Sequence, residues 1–208
     1  MPDWLSFEEA AAIPVAFSTA WHMLLCKAQL QMGEDVLVMA GGSGVGSAAI
    51  QIAKKAGARV ITTASSDEKL DKARALGADE GINYSREDFG QRVRELTEGQ
   101  GVDVVLEHIG SPVWEGCFAS LKRGGRFVIC GVTAGHMVEL HLGQLWTRDL
   151  TLIGTGQRPR EDFGKIMRMV ERKELRGVVD RVMPLEEAVE AHRIMEESSF
   201  FGKIVLRV

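Results

Sequence analysis

The sequence predicts an α/β protein built on a doubly wound, parallel sheet of the Rossmann type. Three observations lead to this prediction. Short β-branched runs alternate with amphipathic stretches of helical length, the runs are almost continuously apolar, and a glycine-rich turn joins the first run to a helix. The alternation indicates parallel strands joined by right-handed crossovers, and apolar strands indicate a sheet covered on both faces. We expect six strands in the order 3-2-1-4-5-6.

The helices that precede the sheet are predicted from a cap and a helix breaker. Ser6 and Glu9 have the spacing of a capping box, so a helix should begin there. Pro14 should end it, and a second helix is expected over residues 17–28. The six strands should follow in the segments VLVMA, VITTA, GINY, VDVVLEHI, RFVICGV and LTLIG.

The alternation changes after the sixth strand. Two helices are expected over residues 161–172 and 185–197, with a strand near 178–183 between them and the strand KIVLRV at the end. We therefore divide the chain into a helical lead-in (1–30), a Rossmann domain (31–182) and a C-terminal helix and strand (183–208).

Composition argues against several classes of protein. The chain has 208 residues, of which 45% are hydrophobic, and a formal net charge of -4, so it has no excess of basic residues for nucleic acid. No apolar run approaches the roughly 20 residues that a membrane span needs. The three cysteines, Cys26, Cys117 and Cys130, are widely spaced and show no metal or redox pairing. We expect a cytoplasmic protein.

The strongest motif is the glycine-rich turn in VLVMAGGSGVGSAAIQIA. A diphosphate can bind the free N–H groups and the positive dipole end of the helix that begins near Gly44. Gly41 and Gly46 frame the turn, but Ser43 stands where the GxGxxG fingerprint has its middle glycine. A turn that serves only packing is the alternative.

The end of the second predicted strand bears on the choice of cofactor. A NAD-selective site usually places Asp or Glu there, on the ribose 2′-hydroxyl, whereas this strand ends in TTASS. Asp67 and Glu68 come slightly later, in the first turn of the next helix, where Ser65 and Glu68 are spaced as a capping box. A neutral strand end with Lys69 nearby favours a 2′-phosphate.

These motifs together resemble the nucleotide-binding domain of the medium-chain dehydrogenase/reductase superfamily, in the branch of quinone oxidoreductases and zinc-type alcohol dehydrogenases. The resemblance runs through LSFEEAAAIPVAFSTAWHML, GGSGVGSAAIQIAKKAGARVI, ASSDEKLDKARALGADEGINY, GVDVVLEHIG and FGKIVL. Such proteins carry a barrel-like catalytic domain ahead of the point where this chain begins. The resemblance therefore implies that the lead-in comes from that domain and that the C-terminal helix and strand return towards it.

The resemblance also implies a dinucleotide site, with NADP(H) favoured over NAD(H). The implied contacts are Gly42, Ser43, Gly44 and Val45 at the pyrophosphate, Ser66, Lys69 and Tyr84 at the 2′-phosphate, Thr19, Ile109, Gly131 and Val132 near the nicotinamide, and Lys203 at the phosphates. Three of them have simpler interpretations: Thr19 as a threonine satisfied within its helix, Lys69 as a solvated charge, and Tyr84 as an ordinary strand-end aromatic. No catalytic residue is identified.

The sequence does not predict a bound metal. In zinc enzymes that the chain resembles, a cysteine precedes the Phe-Ser-Thr segment, and Val15 stands at that position here. His22 and Cys26, four residues apart on a predicted helix, can share a face, but two ligands do not make a zinc site. The other histidines considered add no useful spacing: His108, His136 and His141.

We therefore predict part of an NAD(P)-dependent oxidoreductase that positions the nicotinamide for hydride transfer with a quinone, enal, aldehyde or alcohol. The alternatives are a cofactor-binding or assembly module without turnover, and a zinc-dependent alcohol dehydrogenase. The sixth strand, Leu150 to Gly154, should form an apolar sheet edge, which invites pairing with another chain. The resemblance implies a homodimer through this edge, burying Leu152 and Trp146. In the alternative, the loop 133–147 covers the edge in a monomer.

Overall fold

A computed structural model describes residues 1–156 and 159–208 of the chain. Within this part the α-helices are α1 (Phe7–Ala12), α2 (Pro14–Trp21), α3 (Gly44–Lys55), α4 (Asp67–Ala75), α5 (Phe89–Leu96), α6 (Trp114–Ser120), α7 (Leu142–Thr147), α8 (Arg160–Glu171) and α9 (Ala188–Glu196). The strands are β1 (Asp35–Val38), β2 (Arg59–Ala64), β3 (Glu80–Asn83), β4 (Val102–Glu107), β5 (Leu121–Ile129), β6 (Thr151–Gly154), β7 (Val179–Pro184) and β8 (Lys203–Arg207). A π-helical turn, His22–Lys27, follows α2, and 3-10 turns cover Ser111–Val113 and Leu185–Glu187.

The first six strands form one parallel sheet in the order β3-β2-β1-β4-β5-β6. The predicted Rossmann topology is therefore confirmed. The strand order reverses between β1 and β4, and ligands of such sheets bind outside the carboxyl ends of the strands at this switch point. The turn into α3 and the segment that follows β4 both lie at that end.

Alternate residues of the central strands pack on opposite faces of the sheet. Val36 and Val38 belong to the core on the face covered by α2, α3 and α8, whereas Leu37 and the following Met39 pack on the face covered by α5 and α6. All four side chains are buried. Because side chains alternate along a strand, two covered faces require the continuous apolar runs seen in the sequence.

Helices α1 and α2 and the π-helical turn form one helical run, Phe7–Lys27. The predicted capping box is present, with Glu9 N donating to Ser6 Oγ at 3.1 Å. Pro14 ends α1 but begins α2, because the first turn of a helix needs no N–H there. The second helix therefore begins earlier than predicted, and its last turn is π-helical.

The same run is long and apolar enough to cross a membrane by length and composition, with a mean hydropathy of 1.2 in its most apolar window. By this criterion, the expectation that no stretch approaches spanning length is wrong. Because 56% of that window is buried inside the fold, the run packs as a core helix does.

The predicted cap of α4 is wrong by one residue. Ser66 is the N-cap, and its Oγ accepts a hydrogen bond from Lys69 N at 3.3 Å. Ser66 has an extended backbone while the next residue, Asp67, already begins the helix. Ser65 therefore lies outside the helix, and Ser65 and Glu68 form no capping box.

The C-terminal part of the chain forms a separate two-stranded parallel sheet of β7 and β8, packed on α9. Arg207 Nη2 lies 2.6 Å from Glu8 Oε1, which ties β8 to α1. Strand β7 runs across the division between residues 182 and 183 that the sequence suggested. The three-part division of the chain stays a prediction.

Candidate functional site

A tight turn between β1 and α3 forms the candidate phosphate cradle, defined as residues 42–45. Ser43 is the N-cap of α3, and its Oγ accepts a hydrogen bond from Gly46 N at 2.9 Å. A Cβ on Gly46 would lie 2.2 Å from the Ala40 carbonyl oxygen, and one on Gly41 would lie 2.3 Å from Thr62 Oγ1. Packing thus requires both framing glycines, whereas serine suits the middle position because its side chain caps the helix.

The other cradle residues lie beside the start of β8. The Gly42 carbonyl accepts a hydrogen bond from Gly202 N at 2.7 Å. A Cβ on Gly44 would lie 2.6 Å from Lys203 Cδ, and Val45 packs partly buried against the core. Lys203 is therefore adjacent to the first turn of α3, where free N–H groups and the helix dipole favour an anion.

A cavity of about 100 Å³ extends from the cradle towards the end of β2. It brings together Gly42 and Ser43 of the cradle with Ser65, Lys69 and Tyr84. Lys69 Nζ donates a hydrogen bond to Ser65 Oγ at 3.3 Å and another to a backbone carbonyl near the end of α9. Both of these partners are uncharged. Burial lowers the pKa of Lys69 from its ordinary value.

Ser66 caps the helix that follows β2. Its Oγ is engaged as the cap of α4, and the serine that lines the cavity is Ser65. The contact between Ser66 and a 2′-phosphate therefore stays a prediction, and Ser65 is the residue that the sequence did not single out for this site.

The acidic residue nearest the end of β2 in sequence is held by other side chains. Asp67 accepts hydrogen bonds from Asn83 Nδ2 at 2.7 Å and from the Arg86 guanidinium. The Asn83 hydrogen bond, followed by the nearby Arg86 charge, holds the pKa of the Asp67 carboxyl below its ordinary value. Asp67 is thus an ionised partner of Asn83 and Arg86, on the first turn of α4.

The ends of β4 and β5 bring Ile109, Gly131 and Val132 close together. Glu107 of β4 pairs in register with Ile129 of β5, so the segments that follow both strands are neighbours. Ile109 and Gly131 are partly buried, and Val132 is exposed. These residues lie at the carboxyl end of the sheet, where the nicotinamide end of a dinucleotide is expected.

His108 is a further polar residue at this edge of the sheet. Its Nε2 lies 3.2 Å from Ser43 Oγ in the cradle, and burial lowers its pKa, so the ring is neutral at pH 7. The neighbouring Glu107 is buried and accepts hydrogen bonds from the N–H groups of Ile109 and Gly110. Burial raises the pKa of the Glu107 carboxyl. Sequence position could have pointed to His108, because it directly follows β4.

Comparison with known families agrees with this geometry. The model of a family described as zinc-binding dehydrogenase matches residues 44–172, which is more than half of the chain. The chain belongs to this family. The resemblance to medium-chain dehydrogenases and reductases is thereby confirmed, and the matched segment includes α3, the first turn of which carries Gly44 and Val45 of the cradle.

Two solved structures of related proteins match this chain over its full length. The crystal structure of an NAD-dependent alcohol dehydrogenase is 48% identical with a TM-score of 0.94, and the match covers 100% of this chain and 60% of that protein. Mycobacterial Rv1454c, solved in complex with NADPH, is 29% identical with a TM-score of 0.89, covering 100% of this chain and 68% of the other.

A curated relative is much longer than this chain. The spectinabilin polyketide synthase system protein NorB of Streptomyces orinoci is 39% identical over 210 residues, which are 99% of this chain and 10% of NorB. The chain therefore spans about a tenth of NorB, and contacts made by the rest of that protein lie outside the matched region.

The described residues of the chain do not fit the zinc site that the resemblance suggests. Val15 stands at the cysteine position, and its side chain is exposed and apolar. Its carbonyl accepts a hydrogen bond from Thr19 Oγ1 at 2.7 Å. Thr19 is thus satisfied within its own helix, and its approach to the nicotinamide stays a prediction.

Proposed function

We propose that the chain binds NADP(H) and orients its nicotinamide for hydride transfer within an oxidoreductase. The observation that carries this proposal is the cavity in which Lys69 and Tyr84 adjoin the phosphate cradle. An ammonium is suited to a 2′-phosphate, and the N-terminus of α3 is suited to a pyrophosphate. The two phosphate subsites of NADP(H) therefore have separate, adjacent binding groups.

The chain's own residues bind and position the cofactor, while the nicotinamide would supply or accept the hydride. The cradle and Lys203 hold the phosphates. Ile109, Gly131 and Val132 line the carboxyl end of the sheet and orient the nicotinamide through backbone groups. Gly44 has no side chain, and a Cβ there would lie 2.6 Å from Lys203 Cδ. The glycine therefore lets Lys203 lie close to the first turn of α3.

Two observations support NADP(H) over NAD(H). Asp67 is engaged with Asn83 and Arg86, so the end of β2 offers no free carboxylate for a ribose 2′-hydroxyl at that residue. The related Rv1454c was solved with NADPH. The 48% identical alcohol dehydrogenase is described as NAD-dependent, which makes NADH the competing cofactor.

Fluorescence titration of NADPH and NADH tests this choice. Lys69→Ala should weaken NADPH binding by about 10- to 100-fold, since a hydrogen bond to a charged group contributes roughly 1.5–3 kcal/mol, and should leave NADH binding nearly unchanged. Lys72→Ala is the matched control, because Lys72 lies on the same helix and pairs with Glu68 at 2.7 Å. Equal losses for both cofactors, or a wild-type preference for NADH, would contradict the proposal.

Turnover separates an enzyme from a cofactor-binding module. NADPH oxidation should be followed with quinones and enals as acceptors, after binding has been measured. The chain spans 60% of the related alcohol dehydrogenase, so turnover is also measured after adding the part of that dehydrogenase that the chain does not match. Binding without turnover in both settings would favour the assembly module.

We also propose a homodimer formed through β6. This strand pairs with β5 on one side and is the edge of the sheet. Leu152 on β6 and Trp146 on α7 are exposed to 37% and 78%, respectively, so both side chains are accessible to a second subunit. A two-fold partner would bury both side chains.

Light scattering at micromolar concentration tests the dimer. The wild-type chain should have twice the monomer mass, and Leu152→Lys should dissociate it because a lysine would be buried at the edge. Val189→Lys is a control, since Val189 is an exposed apolar residue on α9. A monomeric wild-type protein would rule the dimer out.

We retain a cytoplasmic location as a proposal. Cys26 and Cys117 form no disulfide, as expected in a reducing compartment. Cell fractionation with an antibody to the chain would test this, and recovery in a membrane or secreted fraction would contradict it.

A further inference from the structure

A second group of polar side chains lies where the π-helical turn meets the first turn of α8. His22 Nδ1 is 3.7 Å from Asp162 Oδ2, and Cys26 Sγ is 3.3 Å from the same oxygen. All three potential ligand atoms lie within 4.8 Å of one another. We call His22, Cys26 and Asp162 the π-turn cluster.

The cluster contains a buried polar atom that nothing satisfies. The His22 side chain is 10% exposed, and its Nδ1 has no hydrogen-bond partner among the described residues. Asp162 is also buried. Leaving a buried acceptor or donor unpaired costs roughly 1–3 kcal/mol. Buried polar groups are therefore nearly always paired, and the unpaired imidazole nitrogen beside a buried carboxylate indicates that a ligand binds there.

The distances from His22 and Cys26 to the Asp162 carboxylate suit tetrahedral coordination. Zinc lies about 2.3 Å from thiolate sulfur, about 2.05 Å from imidazole nitrogen and about 2.0 Å from carboxylate oxygen. At tetrahedral angles these bond lengths place the ligand atoms roughly 3.3–3.6 Å apart. The distances to Asp162 Oδ2, 3.7 Å from His22 Nδ1 and 3.3 Å from Cys26 Sγ, need shifts of only a few tenths of an ångström, and His22 Nδ1 and Cys26 Sγ lie within 4.8 Å of each other.

We propose that the π-turn cluster binds a zinc ion. Imidazole and thiolate ligands favour zinc and disfavour magnesium and calcium, which prefer oxygen. Three protein ligands leave a fourth position open, and Cys26 is exposed, so water would complete the site. Lys165 Nζ lies 3.0 Å from Asp162 Oδ1 and orients the carboxylate so that its other oxygen faces His22 and Cys26.

This site is separate from the position at Val15 where the family resemblance suggests a zinc ligand. From the sequence, His22 and Cys26 can share a helix face but predict no metal site, and Asp162 lies 136 residues from Cys26 in the chain. A bound ion would join the end of α2 to the start of α8. It would thereby close a long segment of chain and stabilise the folded state.

Cobalt and zinc binding to the metal-stripped full chain test the proposal. Equimolar Co²⁺ should produce thiolate-to-cobalt charge-transfer absorption and the visible bands of a tetrahedral site. Zinc should displace the cobalt and, at a hundredfold excess over its Kd, should raise Tm by roughly 5–10 °C. The zinc-dependent Tm shift is independent of cofactor binding and turnover.

Three variants assign the ligands. Cys26→Ser should abolish the charge-transfer band, and Asp162→Asn should weaken zinc binding by at least about tenfold. Cys130→Ser is the matched control and should retain both the band and the Tm shift. No tetrahedral cobalt spectrum in the wild type, or a thiolate band that survives Cys26→Ser in a folded protein, would overturn the proposal.

Discussion

A methyl group at Gly46 tests whether the fold requires the tight turn beneath the cradle. In Gly46→Ala the new Cβ would lie 2.2 Å from the Ala40 carbonyl oxygen and 2.9 Å from Gly41 Cα. Both are backbone atoms, so the turn must open by roughly 1 Å. Overpacking costs up to about 3 kcal/mol, and replacing a helical glycine with alanine offsets about 1 kcal/mol of this. We expect a net loss of about 2 kcal/mol.

For a chain of this size, that loss should lower Tm by roughly 4–8 °C, measured by circular dichroism. NADPH binding should weaken at the same time, because the cradle N–H groups move with the turn. Gly164→Ala is the control: Gly164 is exposed within α8 and the nearest atom to its Cβ would be 3.8 Å away, so Tm should rise by roughly 2–4 °C. A Gly46→Ala protein with wild-type Tm would refute the packing argument.

Three further predictions concern the cofactor site and the neighbouring His108. Gly44→Asp should abolish binding of both dinucleotides in a folded protein, since its carboxylate would repel the pyrophosphate; unchanged NADPH affinity would remove the cradle from the site. Lys203→Ala should weaken NADPH and NADH about equally, unlike Lys69→Ala, because both cofactors share the pyrophosphate, and a loss confined to NADPH would contradict this role. Burial lowers the folded-state pKa of His108, so protonation favours the unfolded chain and stability falls as the pH drops below about 6.5. Between about pH 7 and pH 5, the free energy of unfolding measured by urea titration should therefore fall less in His108→Gln than in the wild type. Equal decreases would show that His108 is not the cause of the pH dependence.

Features that depend on neighbouring residues can be predicted from the amino-acid sequence alone. The nearly continuous apolar run of β4 predicts a strand covered on both faces, and the capping box at Ser6 predicts the start of α1. The glycine-rich turn predicts the cradle because a strand, a turn and a helix follow one another directly in the chain. Backbone hydrogen bonds and side-chain periodicity act over a few residues, so they are visible in the order of residues alone.

The sequence predicts helix boundaries less well where two local arrangements are both possible. Ser65 and Ser66 are adjacent and both can cap a helix, and the point at which α4 begins chose Ser66. Pro14 is compatible with the end of one helix and with the start of the next, and it does both. Packing of each helix on the core selects between such alternatives.

Which distant residues meet depends on how the helices and strands pack together. His108 lies 65 residues from Ser43 in the chain, and Asp162 lies 136 residues from Cys26. Their proximity depends on the order of the strands in the sheet and on how α8 packs against α2. No local periodicity encodes those distances, because burial of the two sheet faces by all the helices together sets them.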